Sequence, residues 1–154
     1  MGGALKNIIA LGAGMIDGLD LGDNTKSAFI TLGWSELVSL GVSLGAKINT
    51  FYGLAGLGDL ITTCASPLSR NHHVGYELAK GHSLSEILAS MSQVAEGVAT
   101  TMAVHQLAET LRLKLPLTDL IYHILFKDLP VKEAFAKSRE LIKSCYQNSL
   151  DILR

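Results

Sequence analysis

At 154 residues the chain fits one domain that is long enough to bury a core. Apolar residues make up 48% and charged residues 18%, below the usual share of about a quarter, with a net charge of −1 and a mean hydropathy of +0.32. These values exclude a basic nucleic-acid binder, and the longest stretch free of Asp, Glu, Lys and Arg, Gly97 to Ala108, is too short for the roughly 20 apolar residues of a membrane span.

Helical periodicity runs almost from end to end, with no strand alternation, and predicts an all-α fold. The first helix is expected over Ala4 to Leu19, with Leu5, Ile8, Ile9, Met15 and Ile16 on its buried side. Gly22-Asp23-Asn24 breaks it, and Asp23 or Asn24 is placed to cap a second helix. That helix runs to about Leu44 through Phe29, Leu32, Leu37, Val38, Leu40 and Val42, and Gly45 ends it. Gly12, Gly14, Gly33 and Gly41 lie inside these helices, each at a cost of about 1 kcal/mol relative to Ala, and mark close helix–helix approach. They do not make a dinucleotide fingerprint, because the third glycine and the preceding strand are both missing.

Lys47 to Ser69 reads as short helical turns broken by Gly53, Gly56, Gly58 and Pro67. A helix over Arg70 to Lys80 follows, stopped by Gly81, and Ser83-Leu84-Ser85-Glu86 forms a capping box for a short helix to Met91. Further helices fit Gly97 to Leu111, Pro116 to Phe126 and Pro130 onward, with both prolines at first-turn positions. Trp34 is expected to pack between helices, and His82, His105 and His123 to be structural. His72 and His73 are expected on the surface or on a site rim. Cys64 and Cys145 have no Cys or His at metal-ligand spacing, so reduced structural thiols are expected and no metal. No secretory signal opens the chain, which makes the cytoplasm the expected compartment. Scarce charge without a span points to faces shielded in an oligomer or beneath a partner domain.

Against this apolar background stand Lys6-Asn7, Asp59 and Ser69-Arg70-Asn71. A cation in the first turns of a helix opposes the macrodipole, so Lys6 needs another reason. A positioned ammonium can donate its proton to a carbonyl oxygen that is gaining negative charge. Asp59, in a glycine-rich turn, is the candidate partner, although it would also serve as the N-cap of a helix over Leu60 to Ala65. Ser69-Arg70-Asn71 opens a helix, where free N–H groups favour an anion and Arg70 adds a planar fork; simple capping by Ser69 is the plainer alternative. Glu96 reads most simply as a first-turn acid.

Gly-Ala-Leu-Lys-Asn (3–7), Gly-Leu-Ala-Gly-Leu-Gly-Asp-Leu (53–60), Thr-Cys (63–64), Ser-Arg-Asn (69–71) and Val-Ala-Glu-Gly (94–97) together resemble the bacterial-type NAD(P)-dependent glycerol-3-phosphate dehydrogenases over about residues 2 to 135. The resemblance is to that family's helical C-terminal substrate domain, a bundle shared in outline with 6-phosphogluconate dehydrogenases. It implies that residues 1–154 form a substrate-binding, catalytic domain without the family's N-terminal Rossmann domain, and that the chain alone is inactive. By motif, Lys6 resembles the general acid/base. Asp59, Ser69, Arg70 and Asn71, with Lys6, resemble the substrate contacts, and Arg70, Val94 and Glu96 resemble the residues that meet NAD(P)H.

The implied reaction interconverts glycerol 3-phosphate and dihydroxyacetone phosphate for glycerophospholipid synthesis, in a homodimer. A 3-hydroxyacid or 6-phosphogluconate dehydrogenase fits less well, since those families set the lysine and asparagine a helical turn apart and Lys6 and Asn7 are adjacent. A non-catalytic helical oligomerisation or phosphometabolite-binding module is the alternative from another class.

Overall fold

The computed structural model describes residues 2–66 and 68–137, which are helical and carry no strand, as the periodicity predicts. Pro67, Cys145 and all of the sequence beyond residue 137, into which the helix from Pro130 is expected to run, lie outside the described residues. The centre is α1 (Gly2–Gly18), against which α2 (Asp23–Ser43), α3 (Asp59–Ala65), α4 (Arg70–Ala79), α6 (Glu96–Leu111) and α7 (Pro116–Phe126) all pack. The sequence pattern assigns α1 one buried side. In the fold it is buried all round, with Ala10, Leu11, Ala13, Met15 and Ile16 fully enclosed. A helix that is apolar on every face belongs in the middle of a bundle, and the polar side chains of α1 sit only near its ends, Lys6 and Asn7 at one and Asp17 at the other.

Small residues allow that enclosure. A Cβ on Gly75 of α4 would lie 1.9 Å from the Leu11 carbonyl oxygen, and one on Gly14 would lie 2.0 Å from that of His72. α1 and α4 therefore touch backbone to backbone. Gly12 and Gly33 instead receive the Phe29 and Ile9 side chains across the α1–α2 contact, so helix–helix approach holds for Gly12, Gly14 and Gly33, whereas Gly41 receives the Phe51 ring of the 3-10 turn Ile48–Tyr52.

The helix ends follow the sequence with local exceptions. Gly45 and Gly81 take positive φ beyond α2 and α4, and Ser83 with Glu86 completes the capping box of α5 (Leu84–Ser90). α2 is not capped by Asp23 or Asn24. Gly22 is its N-cap and has no side chain to make a cap bond, while Asp23 is already helical and lies 3.6 Å from Lys26. Val42 faces solvent rather than the core, in an exposed apolar stretch with Leu44, Ile48, Tyr52 and Leu54. Trp34 packs edge-on against Phe51 and Tyr52 of the 3-10 turn Ile48–Tyr52.

At the other side of the bundle, Glu36 of α2 accepts hydrogen bonds from the Leu117 and Thr118 amides at 2.6 and 3.0 Å and from the Thr118 hydroxyl at 3.0 Å. It serves the first turn of α7, where Pro116 has no N–H to offer.

Candidate functional site: an ion pair beside a polar cleft

Nothing acidic stands in the first turn of α1, and Lys6, its fifth residue, has no anion near the start of its own helix. The compensating anion comes from another element: Asp59, the first residue of α3, forms an ion pair with Lys6 Nζ. Asp59 is therefore not the N-cap of α3. That position is Gly58, without a side-chain cap bond, and the Asp59 carboxylate turns to Lys6 instead.

The glycine-rich segment makes this possible. Between the 3-10 turn and α3 lies a π turn, Leu54–Gly58, and a Cβ on Gly56 would meet the Phe51 carbonyl oxygen at 2.2 Å. Only glycine lets the chain fold back over Phe51 and start α3 with its first carboxylate over the end of α1. Thr63, one turn further, donates its hydroxyl to the Asp59 carbonyl at 2.7 Å.

Ser69 is the N-cap of α4, and its Oγ accepts the His72 N–H at 3.3 Å, as capping requires. Asn71 is buried, and its Oδ1 accepts the Gly97 N–H of α6 at 2.9 Å. Arg70 is exposed, and its Nη1 donates to Gln93 Oε1 at 2.7 Å. These bonds use the acceptor oxygens of Ser69 and Asn71 and one corner of the guanidinium. They leave the Ser69 hydroxyl proton, the Asn71 amide NH2 and the Nε–Nη2 edge of Arg70, a set made entirely of donors. Such a set is suited to an anion with several oxygens.

A cleft of about 300 Å³ opens here, lined by Asn7, Thr62, Thr63, Ser66 and the Ser69–Asn71 run. Asn7 is 8% exposed and makes no side-chain hydrogen bond among the described residues, and it borders that cleft. The fold thus brings Lys6 and Asp59 together and sets Asn7, the next residue along α1, against Ser69, Arg70 and Asn71. Val94, 74% exposed, and Glu96, an exposed first-turn acid of α6, do not line the cleft. They stand just beyond Gln93, joined to Arg70 by that side chain.

Residues 1–136 match the family model for the C-terminus of NAD-dependent glycerol-3-phosphate dehydrogenase. The chain belongs to this family. It is 58% identical over 137 residues to a glycerol-3-phosphate dehydrogenase [NAD(P)+] of Dehalococcoides mccartyi, covering 89% of this chain and 38% of that protein. A protein of the same description from Moorella thermoacetica is 52% identical over 139 residues, covering 90% and 42%. Among solved structures, glycerol-3-phosphate dehydrogenase from Coxiella burnetii matches with a TM-score of 0.87 at 40% identity, over 90% of this chain and 43% of that one. The enzyme from Saccharomyces cerevisiae matches with a TM-score of 0.80 at 34% identity, over 87% and 40%. The chain thus spans about two fifths of the length of the relatives it matches, and the all-α bundle is this family's C-terminal fold.

Within this glycerol-3-phosphate dehydrogenase domain, some candidate site residues carry little signal in the sequence. Thr63 is spaced one turn from Asp59, which was legible, yet its place on the cleft was not. Asn7 was singled out but assigned no contact. Gln93 sits in a loop with no local signal and was not found at all. His72 is not a surface residue: its Nε2 lies 2.7 Å from Asp17 Oδ2, because α4 presses this face onto α1, whereas His73 is exposed. His82 pairs with Glu77, and His105 pairs with Asp119 at 2.8 Å and stacks on Tyr122. Cys64 is buried, and burial pushes its thiol up to about 12, so it stays protonated and inert. No group of metal-ligating side chains occurs among the described residues.

Proposed function

We propose that this chain is the substrate half of an NAD(P)-dependent glycerol-3-phosphate dehydrogenase that interconverts glycerol 3-phosphate and dihydroxyacetone phosphate. The observation that carries the reading is the Lys6–Asp59 ion pair, which does not itself line the cleft but stands next to Asn7, the α1 residue that faces the all-donor cradle across it. The substrate needs the same two things: a proton donor at C2 and a grip on a phosphate.

In the direction of reduction, Lys6 Nζ donates its proton to the C2 oxygen as that oxygen gains negative charge. Asp59 holds the Lys6 side chain in place through the ion pair. In oxidation the neutral amine takes the C2 hydroxyl proton back. Arg70 binds two phosphate oxygens through its Nε–Nη2 edge, with the Ser69 hydroxyl and the Asn71 amide as neutral donors beside it. Asn7, unpartnered at the cleft wall, is available to the substrate hydroxyls.

The nicotinamide cofactor, when bound, exchanges the hydride at C2. The exposed guanidinium of Arg70 and the exposed side chain of Val94 fit a group that joins phosphates to a flat ring, and Glu96 stands at the same rim. The described residues contain no strand followed by a glycine-rich phosphate loop, so the cofactor's pyrophosphate is held elsewhere. The 154-residue chain alone is accordingly expected to show no turnover. The same reading carries a homodimer, a place in the cytoplasm and the supply of glycerol 3-phosphate to glycerophospholipid synthesis.

The test is reduction of dihydroxyacetone phosphate by NADH and NADPH, using the full-length protein that carries this domain. Activity is expected with at least one cofactor. Lys6→Ala should lower kcat by about 10²–10⁴-fold with the cofactor KM little changed. An inactive parent protein would overturn the function, and an unchanged kcat in Lys6→Ala would remove Lys6 from the chemistry.

A further inference from the structure

The first turn of α4 carries Arg70 at its positive dipole end and has no acidic residue of its own. A helix start with a cation and no acid is disfavoured when isolated, so something outside α4 must hold it. The only direct side-chain anchor that it has on α1 among the described residues is His72, whose Nε2 lies 2.7 Å from Asp17 Oδ2. Asp17 is itself fixed from a third direction. Lys26 of α2 donates to its two oxygens at 2.9 and 3.1 Å, and Asp23 backs Lys26 at 3.6 Å. All three members are largely shielded, with side-chain exposures of 12% for His72, 30% for Asp17 and 22% for Lys26.

On the same turn, the His72 carbonyl packs against Gly14 and the His72 amide is held by Ser69 Oγ. His72 is thus locked to α1 through its ring and its carbonyl and to the cap through its amide. Arg70 and Asn71 are its immediate neighbours. We propose that His72, held by Asp17 and Lys26, is a positioning residue for the anion cradle: it fixes the first turn of α4 on α1 and so sets where Arg70 and Asn71 meet the substrate phosphate.

Asp17 supplies from α1 the carboxylate that this turn lacks. Burial would push its carboxyl up, but hydrogen bonds from His72 and Lys26 more than reverse that, so its pKa lies below the ordinary carboxylate value. The group stays ionised and available as the turn's counter-charge. His72 touches neither the cleft nor the Lys6–Asp59 pair, so its influence passes through the placement of α4 alone.

The inference rests on the proposed dehydrogenase function and is tested in the full-length protein. His72→Leu is expected to raise the KM for glycerol 3-phosphate roughly tenfold, with the cofactor KM within about twofold. His72→Arg restores a donor to Asp17 and should bring the substrate KM back to within about threefold of the parent. Asp17→Asn, which keeps the shape and removes the charge, should raise the same KM and serves as the second variant should His72→Leu fail to fold. An unchanged substrate KM in an otherwise folded variant would overturn the proposal, as would equal losses in kcat and both KM values without rescue by His72→Arg. Absence of dehydrogenase activity in the parent protein would instead count against the function itself.

Discussion

The α1–α4 contact and the α2–α7 contact solve opposite problems. Where α4 crosses α1, glycines bring the two backbones together, and the polar groups are pushed to the ends of the contact, Lys6 and Asn7 at one and Asp17 at the other. Where α2 meets α7, an acid, Glu36, is driven into an apolar layer to satisfy a helix start. The first arrangement leaves charged groups half-open to solvent and available for chemistry. The second commits both carboxyl oxygens of Glu36 to the first turn of α7, where they hold structure. The proposed site residues thus gather at the margin of the tightest contact, where rigid backbones fix their positions without burying them.

The largest break in that contrast should come from Gly75→Ala. Its Cβ would meet the Leu11 carbonyl oxygen at 1.9 Å, and neither backbone can yield, so a loss of about 4 kcal/mol is expected in urea unfolding. Gly33→Ala is the control on α2. Its Cβ meets the Ile9 side chain at 3.0 Å, which can turn aside, and the cost should stay under about 1 kcal/mol. Equal losses in the two variants would show that backbone contact is not what distinguishes the α1–α4 crossing.

Glu36 supplies the next largest effect, on the other side of the comparison. Burial pushes its carboxyl from 4.5 up to about 7, against hydrogen bonds from Leu117 and Thr118 that pull it down. A raised folded-state value means that the associated stability is complete below pH 4.5 and is lost as pH rises to about 7. The loss amounts to roughly 3 kcal/mol over that window. Glu36→Gln keeps an acceptor for the α7 amides and cannot ionise, so its unfolding free energy should lack this slope. A parallel pH dependence in parent and variant would assign the effect to another group.

A further small change is expected away from both contacts. Ser83→Ala removes the cap of α5 and should cost about 1 kcal/mol in thermal unfolding, without altering any KM. A change in substrate KM would mean that α5 is coupled to the cleft.

Much of this molecule is readable locally. The helices, the glycine stops at Gly45 and Gly81, the capping box at Ser83 and the Ser69 cap are set by interactions spanning a few residues, and the periodicity and turn chemistry encode them directly. The caps assigned to Asp23 and Asp59 failed for one reason: α2 and α3 each start one residue earlier than expected, so Gly22 and Gly58 take the cap positions and the two acids are first helical residues whose carboxylates face lysines. Gln93 and His72 could not be read at all, since their partners lie 23 and 55 residues away.

By itself the sequence determined that this is a helical bundle, that its glycines mark close contacts, and that Lys6, Asp59 and Ser69-Arg70-Asn71 are its chemically loaded residues. Only the tertiary structure decided which of them meet. Local propensity acts over a turn or two of chain, whereas an ion pair across 53 residues and a cleft between α1, α3 and α4 exist only after the bundle has closed.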